Sequence, residues 1–331
     1  MNLTKGKLTK VCHSQEDKLG PSSQATTILS PQPGLWTAVL MVIGGGICIS
    51  FSAIFVKASG VSATSALFYR CFFGGVSLAV LGFFTRESYR ANPKTYGILG
   101  LVIFCFSLDL VFWHNSIFYV GPGMATILAN FHVFFIALIG FLIFKEKLSL
   151  QLKIGLPIAF AGLWLILGVK PENLSSDLLS GVGQGLFASW WYALYVLVLR
   201  HSQKMGGRIS PIASITVISL GCALFGLVVC LISGDSLVIP TAVSGLMLLG
   251  YGVTGQALGG LLFTWGLPRL PASLGGPIML VQPALAFIWD IVFFDLPATW
   301  LTVLGAVITL SAIYLTVNGQ MKLERKFKAV K

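Results

Sequence analysis

Long apolar runs recur along this 331-residue chain, and most of them are close to twenty residues long. A helix of about 20 apolar residues crosses a hydrocarbon core roughly 30 Å thick. Only 10% of the residues are charged, whereas soluble domains carry about 25%. A membrane-spanning barrel would instead show short segments of alternating hydrophobicity. The chain is therefore predicted to be an all-α membrane protein.

Ten apolar segments are predicted to cross the membrane as helices. They cover residues 36–56, 64–84, 96–117, 122–144, 151–169, 181–199, 211–233, 243–267, 271–293 and 298–318. Residues 1–34 are polar and are predicted to form a disordered cytoplasmic tail without a cleavable signal peptide. Residues 319–331 are predicted to form a basic cytoplasmic tail.

Lysine and arginine are distributed unevenly between the predicted loops. Of the 22 such residues, 19 lie in the tails and loops on one side of the membrane. Only Lys57 and Lys170 lie on the opposite side, and Arg70 lies within a span. Because positively charged loops stay in the cytoplasm, both termini are predicted to be cytoplasmic, in a bacterial inner membrane. The net charge of +11 then needs no nucleic-acid partner.

The two halves of the chain share a weak internal repeat. The pairs that align at a displacement of 149 residues are Pro122 with Pro271, Ala137 with Ala286, Ile139 with Ile288 and Phe144 with Phe293. Five helices per unit is an odd number, so the unit at 180–318 would be inverted relative to the unit at 35–170. The predicted fold is therefore ten transmembrane helices in two inverted five-helix repeats. Such repeats place a substrate site near the midplane, where the halves meet.

Three stretches are typical of one transporter family. They are Phe-Tyr-Arg-Cys-Phe-Phe-Gly-Gly around Arg70, Glu146 with the Lys-Leu-Ser that follows it, and Gln282-Pro283 with the apolar run to Asp295. Together with the ten spans, they resemble the drug/metabolite transporter (DMT) superfamily, and more narrowly its EamA type. The resemblance implies a small-metabolite transporter, often an exporter of amino acids or related compounds. Phe134 departs from the family pattern, which often has a proline there, and Asp295 replaces the usual glutamate.

Two ionisable side chains are predicted to lie deep in the membrane on consecutive antiparallel helices. Asp109 lies past the middle of the third span, and Trp113 falls on the same helical face. A carboxylate at this depth costs about 2.5–3.5 kcal/mol on insertion scales unless it is paired or hydrated. His132 lies near the centre of the fourth span, and an imidazole with its ordinary pKa of about 6.5 exchanges protons near neutral pH. Proton coupling through this pair is one hypothesis, and structural hydrogen bonding across helix interfaces is the alternative.

Other polar and aromatic residues within the spans are also candidates. The further candidates for substrate binding or coupling are Asn130, Gln282, Trp190, Tyr192 and Tyr195. The candidates for a structural or gating role are Arg70, Pro122, Pro271, Pro283 and Glu146. For the aromatic residues, anchoring at the membrane interface is the alternative, and for Pro283 it is a simple helix kink.

The sequence contains no motif that indicates an enzyme, a cofactor or a metal site, since it has no Walker A loop, metal-binding signature or nucleophile elbow. The predicted function is secondary active transport of small polar or zwitterionic metabolites by alternating access. The predicted partners are a small-molecule substrate and the lipid bilayer, and the sequence does not define an oligomer. The alternatives are a membrane channel, a scaffold without active transport, and a lipid-handling protein.

Overall fold

The computed structural model describes residues 34–145, 148–167, 175–204, 209–270, 278–294 and 299–328. All regular secondary structure in these ranges is helical. The α-helices are α1 (Leu35–Ser50), α2 (Ser52–Ser59), α3 (Ala63–Phe84), α4 (Pro93–Val120), α5 (Pro122–Ala129), α6 (His132–Phe144), α7 (Leu150–Leu167), α8 (Ser176–Lys204), α9 (Pro211–Ser233), α10 (Ala242–Gly250), α11 (Gly259–Gly266), α12 (Val281–Phe294) and α13 (Trp300–Lys328). A π-helical segment, Tyr251–Leu258, joins α10 to α11, and the 3₁₀ turn Leu267–Arg269 follows α11.

Within the described ranges, eight helical stretches are long and apolar enough to cross a membrane. Two shorter apolar helices, Leu150–Ile166 and Val281–Phe294, coincide with the fifth and ninth predicted spans. The all-α class is therefore confirmed, whereas the count of ten spans stays a prediction. Residues 1–33 of the predicted tail, Glu146 and Pro271 lie outside the described residues.

The fourth predicted span is interrupted rather than continuous. Helix α5 ends at Ala129, a turn at Asn130–Phe131 follows, and α6 begins at His132. The break occurs without the proline that is typical of the family at position 134. Two side chains contact carbonyl oxygens at the end of α5. Asn130 Nδ2 donates to Thr126 O at 2.8 Å, and His132 Nδ1 lies 2.8 Å from Ala129 O. The contact with His132 gives the carbonyl of Ala129 a side-chain partner at the helix break, and the Asn130 side chain adds a second hydrogen bond to Thr126 O, which also accepts from Asn130 N at 3.3 Å.

The proline in the ninth predicted span marks a helix start. Helix α12 begins at Val281 after a turn at Leu280, so Pro283 lies in its first turn. Proline is tolerated there because the first N–H groups of a helix have no intrahelical partner. The carbonyl of Met279, four residues before Pro283, therefore receives no helical hydrogen bond from it. Pro122 has the equivalent place at the first position of α5.

Pairs of long helices pack closely to form the bundle. Helix α4 packs along α8, α3 along α9, and α7 along α13. A Cβ atom added at Gly181 or Gly185 of α8 would lie 2.5 Å from Tyr119 Cβ or 2.7 Å from Leu128 Cδ1. Glycine spacing of this kind allows neighbouring helix backbones to approach closely in a membrane. The largest cluster of buried apolar residues lies mainly among α3, α4 and α9.

Candidate functional site

A cavity of about 270 Å³ lies among the helices. Its lining residues come from α1, α3, α4, α8 and α9, from both sides of the break between α5 and α6, from the π-helical segment and α11, and from the start of α12. Helices α7 and α13 contribute none of the lining residues in the described part of the chain. The volume is just below the roughly 300–1,000 Å³ of typical ligand pockets, which suits a small ligand.

Most of the predicted substrate-binding candidates line this cavity. Those that do so are Asp109, Trp113, Asn130, His132, Tyr192, Tyr195 and Gln282. Trp190 instead lies beside α6, with its ring centroid 5.6 Å from that of Phe135. Arg70, which is predicted to have a structural or gating role, also lines the cavity. The structure thus brings these side chains together, and their roles in binding stay predictions.

Asp109 of α4 lines the cavity. It lies past the middle of α4, and its side chain is only 6% exposed. Its carboxylate forms no hydrogen bond or ion pair with any described residue. Trp113 follows one turn later on the same face of α4 and also lines the cavity. A nearly buried carboxyl group without a hydrogen bond to the protein is expected at sites that bind a ligand or carry a proton.

The other predicted ionisable group, His132, has one ring nitrogen committed to the helix break. Since the carbonyl oxygen of Ala129 can only accept, the neighbouring Nδ1 carries the proton. The Nε2 atom of the neutral ring is then an acceptor, and the ring packs edge-on against Tyr192 at 4.6 Å. His132 and Asp109 line the same cavity but are not joined by a hydrogen bond.

Arg70 of α3 is fixed by two uncharged acceptors. Its Nε donates to Gln256 Oε1 at 2.9 Å, and its Nη1 donates to the Tyr251 hydroxyl oxygen at 3.0 Å. The guanidinium carbon lies 5.8 Å from the centroid of the Trp113 ring, within the range of cation–π attraction. Neither acceptor neutralises the positive charge. The remaining nitrogen, Nη2, has no hydrogen-bond partner among the described residues.

Both acceptors of Arg70 are themselves held in place. Gln256 Nε2 donates to Ser219 Oγ at 2.9 Å, which fixes the orientation of the amide. His114 Nδ1 lies 2.5 Å from the carbonyl oxygen of Leu110, so Nδ1 is protonated and Nε2 accepts from the Tyr251 hydroxyl at 2.8 Å. Tyr251 therefore accepts a hydrogen bond from Arg70 and donates one to His114.

The π-helical segment explains how Tyr251 and Gln256 reach the same guanidinium. In an α-helix, at about 100° per residue, side chains five residues apart point about 140° apart. In a π-helix, hydrogen bonds run from i to i+5, which brings such residues close to the same face. Gly252 lets the segment approach α3, because a Cβ atom there would lie 2.8 Å from Gly74 N and 3.0 Å from Arg70 O.

Aromatic rings of α4 and α8 form the wall beside Asp109. Phe106 and Tyr195 stack with ring centroids 4.6 Å apart, and Tyr192 lies 5.3 Å from Tyr195. All three residues line the cavity. Such a wall stacks on an apolar or aromatic group and attracts a cation through the ring faces.

Sequence reasoning did not identify Gln256, Tyr251 or Asp290. Gln256 and Tyr251 lie in the glycine-rich stretch Tyr-Gly-Val-Thr-Gly-Gln, where a long polar side chain inside an apolar span was the available signal. Asp290 is a lone carboxylate in the ninth predicted span and is only 2% exposed. Its Oδ2 accepts from Gly123 N at 2.8 Å, at the amino-terminal end of α5. A helix amino terminus stabilises a carboxylate through its free N–H groups and its dipole.

A cavity between membrane-spanning helices that is lined by ionisable groups is a feature of membrane transport proteins. The chain belongs to the EamA-like transporter family, which matches residues 36–168 and 179–318. This family falls within the DMT superfamily, so the resemblance stated above is confirmed. The protein is a multi-pass integral membrane protein of a transporter family.

Proteins from two organisms are similar in sequence. An "Uncharacterized transporter" of Archaeoglobus fulgidus is 25% identical over 267 residues, which cover 79% of this chain and 89% of that protein. An "Uncharacterized transporter" of Haemophilus influenzae is 27% identical over 176 residues, which cover 50% of this chain and 55% of that protein. A solved structure titled "Crystal structure of protein" has the same fold, with a TM-score of 0.62 and 15% identity. The match covers 87% of this chain and 99% of that structure.

Proposed function

We propose that the protein is a secondary active transporter of small polar or zwitterionic metabolites, such as amino acids or related compounds, and that it works by alternating access. The observation that supports this proposal is the nearly buried carboxyl group of Asp109, which makes no hydrogen bond to a described residue and lines a cavity between membrane-spanning helices. A scaffold has no need of such a group, since a carboxyl group at this depth is costly. A volume of about 270 Å³ favours a metabolite over an intact lipid.

We further propose that ten spans form two inverted five-helix units. Helix contacts support this arrangement, because α3 pairs with α9, α7 with α13 and α5 with α12, and the pairing of α4 with α8 has a counterpart in that of α1 with α11. The turns at Phe131 and Leu280 also support it. They are 149 residues apart, which is the displacement that aligns Pro122 with Pro271. Each unit would then contribute one broken helix to the site.

The proposed orientation places both termini in the cytoplasm. The cavity extends to Leu199 near the end of α8 and to Pro211 at the start of α9, on the side with the positively charged loops. In this orientation the cavity opens inward, and the end where Asp290 contacts Gly123 faces outward. Fusions to the carboxyl terminus test this: green fluorescent protein should fluoresce and alkaline phosphatase should be inactive. A dark green fluorescent protein fusion together with an active alkaline phosphatase fusion would contradict the proposed orientation, in which both termini lie in the cytoplasm of a bacterium.

Transport itself is tested with purified protein in proteoliposomes. Vesicles loaded with unlabelled amino acids, sugars, nucleosides or cationic drugs are diluted into the corresponding labelled compound. A carrier gives saturable counterflow with at least one class of compound. A conductance without saturation would indicate a channel, and an absence of flux with every class would contradict the proposal.

Proton coupling through Asp109 and His132 is a second proposal, supported by their common cavity. The Nε2 atom of His132 is the available proton acceptor on the histidine side. If these groups carry the coupled proton, uptake by the wild type should depend on pH when it is measured between about 5.5 and 8. If the wild type shows no such dependence, or if Asp109→Asn and His132→Ala keep the wild-type rate and pH profile, this proposal is wrong.

A further inference from the structure

Two membrane-spanning stretches are interrupted where they touch each other. A turn at Phe51 separates α1 from α2, and the π-helical segment separates α10 from α11. The interruptions are in contact, because a Cβ atom added at Gly255 would lie 2.7 Å from Ser52 Oγ, a buried hydroxyl without a hydrogen-bond partner among the described residues. By contrast, α4 and α8 continue without a break over 28 and 29 residues. Interruptions of this kind are where membrane helices bend.

The helices on one side of the interruptions, α1 and α11, interlock. A Cβ atom added at Gly45 would lie 2.7 Å from Phe263 Cδ1. One added at Gly266 would lie 3.1 Å from Ala38 O and 3.1 Å from Met41 Cβ. Helices packed this closely cannot slide past each other without separating, so α1 and α11 are expected to move as one unit.

The contact between α1 and α12 is looser. A Cβ atom added at Gly46 would lie 3.6 Å from Gln282 N and 3.9 Å from Val281 Cβ, which are ordinary van der Waals distances. Helix α12 is itself attached to α5 through the hydrogen bond between Gly123 and Asp290. The α1–α11 unit can therefore move against α12 without breaking a tight contact.

The α1–α11 unit also borders the cavity. Ile49 of α1 and Phe263 and Thr264 of α11 line it, together with Pro211 and Ser214 at the start of α9. In the proposed orientation, α1 comes from the cytoplasm and α11 returns to it. A movement of this unit toward α9 would narrow the cytoplasmic opening.

The π-helical segment connects this movement to the charged groups. Arg70 donates to Gln256 and to Tyr251, and Tyr251 donates to His114 of α4. In a continuous α-helix, side chains five residues apart point about 140° apart, so a straightened segment could keep only one of the two acceptors on Arg70. Arg70 and Asp109 attract each other electrostatically. A guanidinium released by one acceptor would therefore be drawn toward Asp109.

We propose that α1 and α11 together form the cytoplasmic gate of the cavity, and that the gate swings about a hinge made by the turn at Phe51 and the π-helical segment. The structure shows the gate open. As the gate closes, the π-helical segment straightens and Arg70 moves toward Asp109. This inference rests on the proposed transport function and names the part that moves.

The test ties α1 to one or the other neighbour by a disulfide in the full-length protein. Gly46→Cys with Val281→Cys ties α1 to α12 across 3.9 Å between Cβ atoms, within the range of about 3.5–4.5 Å that disulfides use. Met41→Cys with Gly266→Cys ties α1 to α11, where the same distance is 3.1 Å. A pair that does not oxidise is bridged with a short bis(methanethiosulfonate) linker. Mass spectrometry verifies each bond.

Further variants serve as controls. If the first pair within the gate does not fold, Gly45→Cys with Leu262→Cys replaces it, since its Cβ atoms would lie 3.2 Å apart. The wild type and the single variant Gly46→Cys receive the same oxidant, which controls for the six native cysteines. Dithiothreitol then reduces each bond, so that every variant is compared with its own reduced form.

Counterflow of the labelled amino acids, sugars, nucleosides and cationic drugs measures the effect on transport. The bond between α1 and α12 should lower the initial rate at least about twentyfold, because a gate that cannot move blocks the transport cycle. Reduction should restore the rate. The bond between α1 and α11 should change the rate less than about twofold, since the two helices move together.

Hydrogen–deuterium exchange measures the hinge without a substrate. Backbone amides exchange when their hydrogen bonds open, so the moving π-helical segment should exchange in the wild type. The bond between α1 and α12 should slow exchange in residues 251–258 at least about tenfold, whereas the bond between α1 and α11 should leave it unchanged.

The outcomes separate this inference from the transport proposal. The inference is overturned if both disulfides stop counterflow, if neither does, or if only the disulfide within the gate does. Equal exchange in the π-helical segment with and without the bond to α12 would also overturn it. In each case, counterflow by the reduced protein would show that the transport proposal survives. If no compound gives counterflow in the wild type, the transport proposal is wrong, and the exchange measurement still accepts or rejects the hinge.

Discussion

Two carboxylates lie in the apolar interior of this protein, in contrasting surroundings. Asp290 is 2% exposed and accepts a hydrogen bond from the backbone of Gly123 at the amino-terminal end of α5. Asp109 is 6% exposed and has no hydrogen-bond donor among the described residues. The exposed fraction is therefore nearly the same for the two side chains, and they differ in the hydrogen bond to the backbone. We infer that Asp290 stabilises the fold, whereas Asp109 is kept available for a ligand.

The largest effect should come from removing the charge of Asp109. We expect Asp109→Asn to lower the initial rate of counterflow at least about a hundredfold, because the proposed substrate loses the carboxyl group that it would contact in a site of low dielectric constant. The melting temperature should stay the same or rise, since a nearly buried carboxyl group without a hydrogen bond is replaced by an uncharged amide. Counterflow and thermal unfolding in the same detergent preparation measure both quantities. A variant that transports normally but has a lower melting temperature would indicate that Asp109, like Asp290, stabilises the fold.

Asp290→Ala should show the reverse pattern. Removing the acceptor leaves the N–H of Gly123 buried without a partner, which destabilises a protein by about 1–3 kcal/mol. The free energy of unfolding should fall by that amount, and the folded fraction should still bind substrate because Asp290 does not line the cavity. Chemical denaturation and calorimetry measure the two effects. If the free energy of unfolding of Asp290→Ala equals that of the wild type, Asp290 does not have the stabilising role that distinguishes it here from Asp109.

A substitution at Gly123 tests whether the close contact at Asp290 matters sterically. A Cβ atom there would lie 2.8 Å from Phe287 Cα and 3.1 Å from Asp290 Cβ. Gly123→Ala should therefore push α12 away from α5 and lower the free energy of unfolding by about 1–2 kcal/mol. Gly183→Ala on α8 is the matched control, because a Cβ there meets no atom within 4 Å. If Gly123→Ala and Gly183→Ala lower the free energy of unfolding equally, the cause is the replacement of a helical glycine by alanine and not the contact between α5 and α12.

The smallest expected effect is the coupling between the two carboxylates. The two residues share no hydrogen-bond partner, so stability changes in Asp109→Asn, Asp290→Ala and the double variant should add within about 0.5 kcal/mol. A double-mutant cycle in chemical denaturation measures this quantity. A coupling above about 1 kcal/mol would indicate that the cavity and the α5–α12 contact respond as one unit.

The sequence predicted the apolar spans well because a long apolar run has one main structural outcome in a membrane. Seven of the eight predicted substrate-binding candidates line the cavity, since polar and aromatic groups within apolar spans are conspicuous, and their roles in binding stay predictions. It did not predict the break at Asn130–Phe131, which depends on hydrogen bonds made by the side chains of Asn130 and His132. The break is therefore a property of local side-chain geometry and not of glycine or proline content.

Contacts between distant parts of the chain were less accessible to sequence reasoning. Gln256 becomes important only because the π-helical segment turns it toward Arg70, and periodicity arguments assume α-helical geometry. Trp190 was a candidate because it is adjacent in sequence to other aromatic residues, yet it points toward Phe135 and away from the cavity. In the sequence, Asp290 and Asp109 are both single aspartates within apolar spans, so their different surroundings could not be predicted.

The hydrogen bond between Gly123 and Asp290 also has a consequence for biosynthesis. The two residues are 167 positions apart, so ribosomes that add about 5–20 residues per second reach Asp290 roughly 10–30 s after Gly123. During that interval the amino-terminal end of α5 lacks its acceptor, and an unsatisfied N–H in lipid is costly. Helix α5 is therefore expected to remain near the aqueous boundary, or in the insertion machinery, until α12 has been made.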